Sequence, residues 1–97
     1  MSTKLLVNQV GYEIDGPKRL LLQSTEKISI EKFYIAIPYS EDAVYEGELE
    51  YLGEIKEWGF HYWKGTFTDF KKAGRFIALV EHKGRRLTSP PFQIGHK

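Results

Sequence analysis

A chain of 97 residues has room for one domain, spanning 1–97, with a thin core. At this size folding removes only about two-thirds of the surface that the unfolded chain exposes. Fourteen Lys and Arg face thirteen Asp and Glu, a net charge of +1, which excludes a basic field for nucleic acid and any strong pull towards an anionic membrane surface. The composition, 41% hydrophobic and 28% charged, is that of a folded domain, and the lack of cysteine excludes disulfides, thiolate metal sites and cysteine nucleophiles.

The chain opens Met1-Ser2-Thr3-Lys4, and only Leu5-Leu6-Val7 are apolar before Asn8 and Gln9. A secretory signal needs roughly 7–15 apolar residues and a membrane helix about 20, so neither is expected. Such a start fits a chain that stays inside the cell, or a mature or trimmed piece.

No stretch keeps a helical period; short apolar or alternating runs recur between turn residues, as in an antiparallel sandwich. Residues 5–10 read as a first strand, stopped by Gly11 and then by Asp15-Gly16-Pro17. Residues 19–23 form the second, where Leu20-Leu21-Leu22 predict burial on both faces. Residues 32–38 form the third, with Phe33, Ile35 and Ile37 on one face and Tyr34 and Ala36 on the other. Residues 43–52 set Tyr45, Gly47, Leu49 and Tyr51 against Val44, Glu46, Glu48 and Glu50, the pattern of a half-exposed strand or hairpin. A Trp58-Gly59 turn precedes a strand at 61–67, and 75–82 is the strongest strand signal, with Phe76, Ala78 and Val80 inward. Lys83-Gly84 makes a tight turn into 85–89. Pro90 and Pro91 have no N–H to donate, so the last strand, which finishes at Phe92-Gln93-Ile94, is split or lies at an edge. About seven strands in so short a chain predict an all-β fold, an immunoglobulin-like antiparallel β-sandwich.

Two sets of residues go further. The first is Val7-Asn8-Gln9-Val10-Gly11-Tyr12 followed by Gly16-Pro17-Lys18-Arg19. The second is Phe67-Thr68-x-Phe70, then Gly74-x-Phe76, then Ser89-Pro90-Pro91-Phe92-x-Ile94-Gly95. In this order and spacing they resemble the N-terminal immunoglobulin-like domain of family 9 glycoside hydrolases, the cellulase-type endoglucanases. The chain departs from the family's pattern at Thr66, where Asp is usual, at Phe76, where Tyr is favoured, and at Pro90, where Tyr is frequent. The resemblance implies a non-catalytic accessory domain whose partner is the catalytic (α/α)6 barrel of the same polypeptide, in an enzyme of polysaccharide degradation that is usually secreted. The family's catalytic acids lie beyond this domain, so none is carried over and no cofactor is implied.

The chain's own side chains offer no rival centre. Glu46, Glu48 and Glu50 sit about 7 Å apart along one strand face, which suits a solvated face better than a glycosidase pair or a calcium site. His61, His82 and His96 lack metal-ligand spacing, and no serine has the glycines of a nucleophile elbow. Trp58, Tyr62 and Trp63 are candidates for stacking on the sugar rings of a β-glucan, although a strand sends Tyr62 and Trp63 to opposite faces. A stand-alone carbohydrate-binding module and an unrelated protein-interaction sandwich therefore stay open as rival readings.

The outward positions of strands 32–38 and 75–82 are Tyr34, Ala36, Ile77 and Leu79. An antiparallel sheet with one wet face carries polar residues there, so an apolar block asks for a cover. With Gln9 and Tyr12, these residues are the expected interface to the catalytic barrel. A register shift of one residue would reverse the reading.

Overall fold

The computed structural model describes residues 3–8, 10–40 and 42–95, and the alternating runs fold as strands. They are β1 (Thr3–Leu6), β2 (Tyr12–Glu13), β3 (Arg19–Ser24), β4 (Lys32–Ala36), β5 (Ala43–Ile55), β6 (Phe60–Thr66), β7 (Gly74–His82), β8 (Arg85–Thr88) and β9 (Phe92–Gly95). No helix occurs among the described residues.

The strands follow the order β1-β3-β6-β5-β4-β7-β9-β2, with β8 also on β7. The 13-residue β5 joins the two layers: its first half pairs with β4 and its second half with β6. All pairs are antiparallel except β2 with β9. The immunoglobulin-like sandwich is thus borne out, with nine strands because β2 is a two-residue pairing and the last run is split. The split falls at Ser89-Pro90-Pro91. Ser89 N–H still donates to Ala78 O, and the two prolines after it have nothing to donate.

Burial alternates along the strands. Leu20, Leu22 and Ser24 of β3 are buried while Leu21 and Gln23 are only half-buried, so the leucine run is not enclosed on both faces. In β5 the glutamates are exposed, and Tyr45, Gly47 and Leu49 point towards the core. The core gathers Leu5, Leu20, Leu22, Phe33, Ile35, Trp63, Phe67, Phe70, Phe76, Ala78, Val80, Phe92 and Ile94. Phe33 lies across Gly47 and Gly65; a Cβ at Gly65 would stand 2.8 Å from its ring, and one at Gly47 would overlap it. Two glycines on neighbouring strands make the slot that the ring fills.

Three expectations change. The first strand ends at Leu6, because Asn8 turns the chain: its Oδ1 accepts the Val10 N–H and its carbonyl accepts the Gly11 N–H. Ile37, expected inward, is 44% exposed, since β4 stops at Ala36 after a bulge in its pairing with β5. Trp63 is buried at 3% exposure, in the core.

Candidate functional site

The two motif segments meet at one end of the sandwich. The Tyr12 ring stands edge-on to Phe67 at 5.1 Å and to Phe92 at 5.3 Å. Its hydroxyl accepts the Asn8 N–H at 2.8 Å and donates to the Arg19 carbonyl at 2.7 Å, fastening the turn after β1 to the start of β3. Burial raises the Tyr12 pKa, and the Asn8 N–H partly offsets this. Gly11, with φ of +116°, brings its backbone so close to Gln93 O that a side chain would press on that carbonyl at 3.1 Å.

Lys18 is wholly buried, a role that its place in a Gly-Pro-Lys-Arg run did not announce. Its ammonium donates to the carbonyls of Ile14 at 2.7 Å, Gly16 at 3.1 Å and Thr68 at 3.2 Å. Its backbone N–H donates to Thr68 Oγ1, and its carbonyl accepts the Phe67 N–H. Burial pushes the Lys18 pKa below the ordinary lysine value; Lys71 adds to this, and Asp15 and Asp69 oppose it. Ser89 closes the set: its Oγ accepts the Ala78 N–H and donates to the Pro90 carbonyl. These polar motif groups are engaged with backbone, which leaves them to hold loops together rather than to meet a substrate.

The expected interface residues assemble only in part. Tyr34 pairs with Leu79 and Ala36 with Ile77, so four of them form one block on adjacent strands, outside the core cluster. Ala36, Ile77 and Leu79 are nevertheless buried, at 0%, 6% and 4% exposure, and Tyr34 is half-buried. Leu79, for example, lies between Tyr34 and Thr88 on the flanking strands. The block is therefore not an open apolar patch. Tyr12 points into the motif cluster, and Gln9 lies outside the described residues.

The expected sugar-stacking residues do not make a platform either. Trp63 is in the core, and Trp58, 63% exposed, meets Tyr62 edge-on at 6.4 Å and 78°. Both line an open groove of about 440 Å³ whose other walls are mainly aliphatic, with Leu6, Leu21, Leu52 and Ile55. Glu46 and Glu50 pair with Lys32 at 3.1 Å and Lys64 at 3.4 Å on the solvated face. No group of three metal-ligating side chains comes together among the described residues, and His96 lies outside them.

The family described as the cellulase N-terminal Ig-like domain matches residues 1–85. The chain belongs to that family. Among curated proteins none matches. Among solved structures it is similar to a Bacteroides ovatus family 9 glycoside hydrolase (GH9), at 23% identity and a TM-score of 0.69 over 94% of this chain. It is also similar to a zinc-binding triple mutant of the GH family 9 endoglucanase J30, at 22% identity and a TM-score of 0.61 over 86% of the chain. The match spans only 15% and 14% of those two chains. As an N-terminal Ig-like domain the chain is non-catalytic. Its departures from the family pattern fit this fold: Phe76 replaces a hydroxyl-bearing ring with an edge-on contact to Phe70 at 5.0 Å, and Thr66 and Pro90 are exposed.

Proposed function

We propose that this Ig-like domain serves a family 9 glycoside hydrolase as a non-catalytic accessory module, packing against the catalytic (α/α)6 barrel of the same polypeptide and stabilising it in polysaccharide degradation. The observation that carries the reading is the engagement of the motif side chains. Tyr12, Lys18 and Ser89 bond backbone groups of their own domain, which keeps its shape without contributing a reacting group. The match over residues 1–85, and the small share of each enzyme chain that such a domain occupies, support the same role.

The test compares the parent enzyme with a variant from which residues 1–97 are deleted. The intact enzyme is expected to unfold in a single calorimetric transition, and the deleted one to melt at lower temperature or to aggregate. Equal melting temperatures would refute the stabilising role. The 97-residue chain itself should release no reducing sugar from carboxymethyl cellulose, and reproducible release by a contaminant-free preparation would refute the non-catalytic reading.

A further inference from the structure

The loop joining β4 to β5, residues 37–42, carries an aromatic side chain with no cover at all: Tyr39 is 102% exposed. Its backbone has φ of +75°, and the Ser40 N–H donates to the Pro38 carbonyl at 3.0 Å around it. That is a γ-turn of the rare, strained hand, centred on a residue that disfavours it. Strain of this kind persists where the surroundings or a function hold it. Two bonds close the hairpin at its base and within the loop, Ile37 N–H to Asp42 O and Asp42 N–H to Ser40 Oγ.

Tyr39 is not a lone apolar group. Ile37 is 44% exposed beside it, and Val44 is 37% exposed. Ile35 pairs with Tyr45 and Ala36 with Ala43, so Val44 stands unopposed in the bulge, the kind of irregularity that re-aims a side chain. The hairpin thus leaves three apolar side chains, Ile37, Tyr39 and Val44, open to solvent.

The position of the tip selects the occupant. Ala36 pairs with Ile77, so the chain beyond β4 runs alongside the start of β7. On the other side of β7, Gly74 pairs with Ile94 of β9. The hairpin tip and the end of β9 therefore lie towards the same end of β7, on its two sides. On the accessory-module reading, the catalytic domain lies C-terminal to β9, which the family's description as an N-terminal domain supports. Resting on the accessory-module reading above, we infer that the 37–44 hairpin, with Tyr39 at its tip and Ile37 and Val44 at its flanks, is the surface that docks on the catalytic domain following Gly95.

Tyr39→Gly tests this by moving two measurements in opposite directions. Glycine adopts a φ of +75° without strain, so in the 97-residue chain the melting temperature is expected to hold or rise. In the parent enzyme, the same Tyr39→Gly change is expected to lower the single transition by about 2 °C or more, or to split it in two. An unchanged transition in the parent enzyme overturns the inference while leaving the accessory role standing. Two transitions in the unmutated parent, with the catalytic domain's own transition unmoved by deleting residues 1–97, would remove the accessory role itself. Equal losses in the 97-residue chain and the parent would make Tyr39 a structural residue. Concentration-dependent dimers of the 97-residue chain that vanish with Tyr39→Gly would assign the tip to a second copy; either result overturns the inference.

Discussion

Lys18 brings an ammonium into a site without water contact and directs it at three backbone carbonyls, from Ile14, Gly16 and Thr68. Replacing it with methionine keeps the stem and removes the donor, leaving those carbonyls short of partners, so Lys18→Met should cost about 3 kcal/mol in urea unfolding. In the native state the same amine should resist acylation that labels the exposed Lys56 and Lys83, and mass spectrometry of the labelled chain would show it. Tyr12→Phe removes one hydroxyl that joins Asn8 to Arg19; the expected loss is about 1–2 kcal/mol with the fold retained. The sequence marked both positions as motif members, but nothing in it distinguished the buried lysine from an exposed one. That distinction needed Thr68, 50 residues away, to be brought beside it.

At the scale of elements, the strands were legible because burial alternates with the pleat. The read runs 19–23, 75–82 and 85–89 match β3, β7 and β8 to within one residue. Boundaries went wrong where local hydrogen bonds compete with a ladder, as at Asn8, or where a bulge ends the pairing, as after Ile35. The Phe33 slot belongs to this scale, since it takes one residue from each of β4, β5 and β6. Gly65→Ala puts a methyl against both Phe33 and Leu20 and should cost about 1–3 kcal/mol by overpacking, read as a lower urea midpoint at unchanged slope. A tolerated substitution would show that the ring can shift.

For the whole molecule, the apolar surface that remains after folding suits protein better than sugar. Trp58 and Tyr62 are edge-on, and the groove they share is walled by leucine and isoleucine, with no flat ring pair to receive a pyranose face. Titration of the 97-residue chain with cello-oligosaccharides should therefore give a dissociation constant weaker than about 10 μM, no further weakened by Trp58→Ala. Tighter binding that Trp58→Ala abolishes would establish a carbohydrate-binding module instead.

The sequence by itself determined the all-β class, the turn positions and the family, because period-two alternation, Gly and Pro punctuation and motif spacing are local properties of the chain. It also put Tyr34, Ala36, Ile77 and Leu79 on the faces turned away from the core, since one face of each strand had to enter it; their pairing came from the structure. Tertiary structure alone decided which outward residues stay exposed. Ile77 and Leu79 are buried, while Tyr39 stands clear on a turn. Exposure depends on what other segments bring alongside, and no alternation within one segment records its neighbours.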